Sequence, residues 1–466
     1  MTIFDDIRCL KEKHDYDGAW NVGYAALEAD LNNKFIKTTL FWVIYAVLKN
    51  QVDALKNRDN KKPHPSEQRI IDLWASRILI LKLDLPNENI DYRLWNIFRE
   101  TGKFCTPICQ FILESGRSIF NPDDVKPYIS EKGESPSAMM RLTRMVAANY
   151  ILSGKESPLS VDRLHGLLKY TQKYCEDNPQ NKIFLEYDRA RIFLASDDFE
   201  SAREAYLTVI RGKRGDSWPW FGLANTYPND PEKAICLVSF GLTCSHDPVF
   251  SLPGLLRLAE LLAEIGLFVY ASKALIKYIK IYEENNWPPK NNAIELMSNA
   301  WFDASLDIGD LNSYINELAV GANKYAMTNP VVFSGIIQSI HDSGKGANIY
   351  IDRNKFMSAR KAAFEKHKIP KAGAFVKLLC DMGMERPEII SVESAQPFDS
   401  VDIRSYEGSL KVTEKGFGFV GGDIFVPPSL IENNVNDSQV SGVAVMSLDK
   451  IKNKHGWRAI TLVCSR

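Results

Sequence analysis

Along most of the chain, apolar residues recur three and four positions apart, the period of an amphipathic helix. Residues Asp5 to Lys49 read as helices on this basis, and His14-Asp15-Tyr16-Asp17-Gly18-Ala19-Trp20 starts the second helix of a hairpin, with a small residue where helices cross. Polar text from Lys56 to Pro65 predicts a loop. Ser66 is expected to cap an amphipathic stretch running through Trp74 to Leu83 and broken by Pro86. Helical pieces continue around Trp95–Phe98, Phe111–Leu113 and Met139–Leu152, and no two-residue alternation interrupts them. Residues 1–150 are therefore expected to form an all-helical N-terminal region.

From about Lys182 to Asn329 the pattern repeats. Three stretches place an alanine near a helix start: Asp198-Phe199-Glu200-Ser201-Ala202, Asp230-Pro231-Glu232-Lys233-Ala234 and Leu267-Phe268-Val269-Tyr270-Ala271. The alanines are 32 and 37 positions apart, around the period of about 34 seen in tetratricopeptide repeats. Trp218-Pro219-Trp220-Phe221-Gly222 resembles that family's opening motif, and Leu255, Leu258, Ala259 and Gly266 fit it. The resemblance implies stacked helical hairpins with a groove that holds a protein partner. The other reading is an array that only spaces two ends apart. Residues 151–384 are assigned to this repeat region.

Beyond Pro330 the text becomes basic. Arg353 to Lys377 carries eight Lys/Arg against the single acid Glu365. Its interleaved Lys355, Phe356, Lys361, Ala363 and Phe364 predict an amphipathic helix with a charged outer face. Such a face either is simply solvated or supplies phosphate contacts, with Arg360 and Lys361 as candidates. Residues 385–404, with prolines, serines and alternating acids, read as an extended linker.

The period then changes to two. Strands are expected over Gly408–Val412, Gly416–Val420, Asp423–Val426, Ser441–Leu448 and Arg458–Val463, with turns at Gly421-Gly422, Asn433-Asn434 and Lys452–Gly456. Within Glu414-Lys415-Gly416-Phe417-Gly418-Phe419-Val420, Phe417 and Phe419 point the same way. With Phe425 on the neighbouring strand they would form an aromatic platform. The alternative is that these rings fill the barrel's own core. Trp457, in His455-Gly456-Trp457-Arg458, likewise either adds a stacking surface or packs against its own barrel.

This run and Asp423-Ile424-Phe425-Val426-Pro427-Pro428 resemble the two nucleotide-binding motifs of cold-shock domains, most closely those of ribonuclease II/R-type exoribonucleases. The resemblance covers roughly Ser405 to Cys464. Other cold-shock proteins have His-Phe at Pro427-Pro428 and Trp-Phe near Val412-Thr413. The resemblance implies a small five-stranded barrel of the oligonucleotide-binding class that stacks bases of single-stranded nucleic acid. The candidate contacts are Lys411, Lys415, Phe417, Phe419, Phe425, Trp457 and Arg458, together with Arg360 and Lys361 upstream.

Composition qualifies this picture. The formal net charge of the chain is −1, so affinity for nucleic acid must come from local patches. Residues 405–466 carry seven Lys/Arg against six Asp/Glu, a nearly neutral barrel that would need the basic stretch before it. The eight scattered cysteines fit a reducing compartment. Of these, only Cys105 and Cys109 are close, and without a nearby histidine they do not suggest zinc. An acidic N-terminus without a signal layout and the absence of a long apolar run indicate a cytoplasmic protein that does not enter membranes.

Walker loops, Gly-x-Ser-x-Gly elbows and paired-histidine zinc helices are absent. The magnesium-binding aspartate cluster of ribonuclease II/R enzymes has no counterpart either. The expected fold is mainly α, a helical-hairpin repeat superhelix, with a small C-terminal all-β barrel of the OB/cold-shock type at 405–466. The expected function is a non-enzymatic adaptor without cofactor or metal. Its helices would hold a protein, and its barrel would hold single-stranded RNA or single-stranded DNA. The competing reading is a protein-interaction scaffold or regulator, of the bacterial stress or phage-defence kind, whose barrel does not bind nucleic acid.

Overall fold

Three aspartates start helices in the same way. Asp15, Asp198 and Asp230 precede the helices Tyr16–Ala29, Phe199–Lys213 and Pro231–Thr243, and each carboxylate accepts from the backbone N–H three residues on, at 2.9, 3.1 and 3.0 Å. One residue further, Ala19, Ala202 and Ala234 are completely buried. The cap satisfies an otherwise unpaired N–H, and the methyl side chain lets the neighbouring helix approach. Ala271 occupies the same place in Phe268–Glu284, where Leu267 offers no side-chain cap.

The computed structural model describes residues 2–56, 63–83, 94, 97–102, 104–131, 133–174, 178–327, 329–383, 387–398, 400–431, 436–449 and 454–464. Most of the loop expected before Pro65, together with Pro86, Trp95, the Asn433-Asn434 turn and Lys452, lies outside these residues. The chain divides into two units, Met1–Ala322 and Asn323–Arg466.

The first unit is helical, as its periodicity predicts. In the repeat region Pro179–Ala195 pairs with Phe199–Lys213, Trp218–Ala224 with Pro231–Thr243, and Pro248–Glu264 with Phe268–Glu284. Its N-terminal half is built around Leu40, Phe41, Ile44 and Leu48 of the long helix Lys34–Lys56. Two expectations need correction. Ser66 is not a cap: the helix begins at Pro65, with His64 as N-cap and Glu67 closing a capping box. A short antiparallel hairpin, β1 (Tyr128–Ser130) and β2 (Gly133–Ser135), interrupts the region expected to be all-helical.

The second unit departs further from expectation. No helix runs from Arg353 to Lys377. Instead five strands fill much of residues 330–394: β3 (Pro330–Ile340), β4 (Gly346–Asp352), β5 (Lys355–Arg360), β6 (Phe375–Asp381) and β7 (Glu388–Ser394). The physical reason is the local period. Met357 and Ala359 face the core while Phe356, Ser358 and Arg360 are exposed, which is alternation by two. The expected linker likewise contains β7, paired to β6. The sheet order is β5-β4-β3-β6-β7, and buried Phe364, just after β5, bridges Val392 of β7 in parallel.

The C-terminal barrel is present, with adjusted bounds: β8 (Ile403–Val412), β9 (Gly418–Val420), β10 (Ile424–Val426), β11 (Gln439–Asp449), β12 (Lys454–Ala459) and the short β13 (Val463–Cys464). Lys454 to Gly456, expected in a turn, belong to β12. Antiparallel β8-β9-β10, a parallel β10–β12 pair, and antiparallel β12–β11 and β11–β8 pairs close the sheet on itself. Closure removes open strand edges. The upstream sheet has the same succession, and the single Phe364–Val392 bridge brings its ends together, so the unit contains a closed barrel and a second, barrel-like sheet in the same strand order.

The two barrels share a seam. Ile336 and Tyr350 of the upstream barrel pack with Ile403, Val445 and Ile460 of the C-terminal one. The Tyr350 hydroxyl donates to the Met446 carbonyl at 2.7 Å. Arg353 Nε donates to Asp402 Oδ1 at 2.8 Å, and this bond, with help from the Arg353 backbone N–H, holds the buried Asp402 carboxyl below its ordinary range. A depressed carboxyl pKa stabilises the fold above the unfolded value of about 3.9. That contribution fades as pH falls through the folded value. Loss of the Tyr350–Met446 hydrogen bond in Tyr350→Phe should lower stability by about 1 kcal/mol in urea denaturation followed by near-ultraviolet circular dichroism. Asp402→Asn should flatten the acid limb of stability as pH falls below the unfolded carboxyl value of about 3.9.

Candidate nucleic-acid interface

The C-terminal barrel core consists of Tyr406, Leu410, Val420, Ile424, Val426, Val440, Ala444 and Ala459. Phe417, Phe419 and Phe425 are not among these residues or those packed against them. Because successive side chains alternate across a strand, burying Val420, Ile424 and Val426 sends Phe419 and Phe425 outward. The alternative in which the rings fill the core is thus excluded by register.

Phe419 lies directly opposite Phe425 on neighbouring strands, with ring centroids 6.0 Å apart. Phe417, in the approach to β9, stands 5.8 Å from Phe419 and 5.6 Å from Phe425. All three rings are half-buried. Lys411 of β8 is opposite Phe419, and Arg458 of β12 is opposite Phe425 with its guanidinium 5.9 Å from the ring centroid. The row Lys411, Phe419, Phe425, Arg458 therefore crosses four strands, with a cation at each end.

Glycine makes this row possible. Gly416, at φ +79°, closes the turn in which its N–H donates to the Thr413 carbonyl at 2.9 Å, placing exposed Lys415 at the tip. At Gly418 a Cβ would stand 2.8 Å from Leu410 Cδ1 and 3.0 Å from the Lys411 carbonyl. Only glycine leaves room there for Leu410 in the core.

Other candidates fall elsewhere. Trp457 packs against the barrel core, with the Arg404 guanidinium 4.2 Å above its ring, so it is a packing residue and not part of the row. Arg360 ends β5, and Lys361 opens the short 3-10 turn Lys361–Ala363, both exposed on the upstream barrel and on no α-helix. That barrel went unrecognised in the sequence. Its available signal was the β-branched run Val331-Val332 and Ile336-Ile337, with alternation at Lys355–Arg360.

The helical unit offers a second feature, a cavity of about 970 Å³ whose lining includes Tyr187, Arg191, Tyr206, Trp218, Phe221 and His246. Tyr187 and Trp218 meet edge to face at 4.5 Å. Cys105 and Cys109 are buried, and burial raises both thiol pKa values. They are packing groups, not nucleophiles. Among the described residues no helix is long and apolar enough to cross a membrane.

Residues 404–462 match the family described as S1/CSD-like domain 2 of the TOTE conflict systems, which fits the closed barrel. Residues 183–322 match a domain of unknown function, DUF7017. No curated protein matches the chain.

Gly418→Ala should destabilise the chain by about 1–3 kcal/mol through overpacking against Leu410, measured as a lower urea midpoint with unchanged slope. Gly416→Ala should cost less, because nothing lies within 4 Å of its Cβ position and only the positive φ is unfavourable.

Proposed function

We propose that the C-terminal barrel binds single-stranded nucleic acid across the row Lys411, Phe419, Phe425 and Arg458, with Phe417 completing the platform and Lys415 reaching towards phosphate. The observation that carries this reading is the outward register of three aromatic rings flanked by two cations on a closed barrel. Every base has a flat face, so such a surface holds a strand without requiring a sequence. The S1/CSD-like match to 404–462 supports it, since domains of this kind bind nucleic acid.

In this reading the chain is a non-catalytic adaptor acting inside the cell. The helical hairpins, tetratricopeptide-like in spacing and in their buried alanines, present the aromatic cavity between Tyr187 and His246 to a segment of a protein partner. The matched family name favours service in a stress or conflict system over housekeeping RNA metabolism.

Phe417→Ala with Phe419→Ala, made in the full chain, should weaken binding of short single-stranded RNA to the C-terminal site at least tenfold, since each stacked base contributes about 1–3 kcal/mol. Fluorescence anisotropy at several salt concentrations measures this. The wild-type affinity should fall as salt rises, because phosphate neutralisation releases counterions. Unchanged affinity in the double variant, with the fold intact by circular dichroism, would overturn the stacking role.

A further inference from the structure

We infer that the upstream barrel carries a second single-stranded nucleic-acid site, on the outer face of β4 and β5. The inference builds on the reading of the C-terminal barrel, because the two faces correspond strand for strand. In sheet order, β3, β4 and β5 stand where β8, β9 and β10 stand, and β6 and β7 stand where β11 and β12 stand. On β4 and β5, Asn348 and Ser358 stand opposite each other, as Phe419 and Phe425 do on β9 and β10. Their inward neighbours Ala347, Ile349 and Ala359 are buried, as Val420, Ile424 and Val426 are, so the two pairs point outward alike.

The chemistry along this face changes in order. Nearest the seam the outward pair is Tyr350–Phe356. Tyr350 is buried and tied to the Met446 carbonyl, while Phe356, 6.2 Å away between ring centroids, is 61% exposed. A lone exposed ring means little. Phe356, however, is the outward aromatic of the strand equivalent to β10, held beside a buried tyrosine on the neighbouring strand.

Next along the strands lies a polar group of four. His341 Nε2 is 3.1 Å from Asn348 Oδ1 and 3.3 Å from Ser358 Oγ, and Asn348 Nδ2 donates to Ser339 Oγ at 3.2 Å. A Cβ at Gly346 would stand 2.9 Å from His341 Nδ1, so glycine is what lets the imidazole lie against this strand.

At the far end the face is cationic. Arg360 is opposite Gly346, and the Lys361 N–H donates to the Lys345 carbonyl at 2.9 Å, which brings three exposed cations to one end of the β4–β5 pair. Ring, hydrogen-bonding groups and cations thus follow one another along a single face. They match the base, sugar and phosphate of an extended strand. The positive run read in the sequence as a helix face becomes, as strand and turn, the phosphate end of this site.

The test uses the full chain and fluorescent oligo(U) and oligo(dT) of about eight nucleotides, short enough for one barrel to cover. Two oligomers should bind per chain, and Phe417→Ala/Phe419→Ala should leave one. Adding Phe356→Ala to that background should weaken the remaining site at least tenfold. Adding Lys345→Gln/Arg360→Gln/Lys361→Gln instead should reduce its salt slope by about 2, at about 0.7 per lost phosphate contact. Preference for oligo(U) over oligo(dT) would assign the polar group to the ribose hydroxyl, and equal binding would assign it to phosphate. One oligomer bound by the wild type and none by the Phe417/Phe419 variant overturns this site and leaves the C-terminal reading intact. One oligomer lost only through Phe356→Ala supports this site and overturns the other. Indifference of the remaining site to both the Phe356 and the charge variants overturns the proposal, as does the absence of any binding.

Discussion

Closure of the C-terminal sheet through the parallel β10–β12 pair is the constraint on which the second unit depends. Once the strands are registered, each residue faces either the small core or the outside. The outer row then runs Lys411, Phe419, Phe425, Arg458, Val445, Ile403 around the barrel before it returns to β8. Its first four members carry the aromatic and cationic surface. The last two are buried in the seam with Ile336 and Tyr350. One row therefore makes both the candidate interface and the joint between barrels, which explains why β8 must be long enough to contribute at both ends.

The same economy appears in the upstream barrel. On β4, Tyr350 is spent on the seam while Asn348, two residues away, stays on the outer face. The contact between exposed Arg353 and buried Asp402 closes the seam at the β4–β5 turn. Removing the guanidinium would leave the Asp402 carboxylate buried without its partner, which costs more than the contact itself contributes. The helical unit obtains its order from a different local device, a capping aspartate followed at the fourth helical position by a buried alanine. Repeating that device at Asp15, Asp198 and Asp230 sets where helices begin and how closely they pack.

Much of this was legible from residue order alone. Ala202, Ala234 and Ala271 announced the hairpins because a small side chain at a crossing is a local requirement. Phe417, Phe419 and Phe425 announced a barrel because glycine-aromatic alternation has a period of two. The upstream barrel was not legible. Lys355, Arg360 and Lys361 sit in a basic run, and charge dominated the reading although Met357 and Ala359 alternate inward. Short strands of six or seven residues carry too few periods to separate helix from sheet when their outward positions are charged.

The sequence by itself determined the helical N-terminal region, the alanines at helix crossings, and the C-terminal strands with their aromatic motif, because each follows from neighbours within a few residues. Only tertiary structure decided that the three phenylalanines face outward, that Trp457 packs inward under Arg404, and that Arg360 and Lys361 belong to a second barrel. Those outcomes depend on pairings between strands distant in sequence, such as β3 with β6 and β10 with β12. Register across such pairs is set by closure of the whole sheet, and no local window contains it.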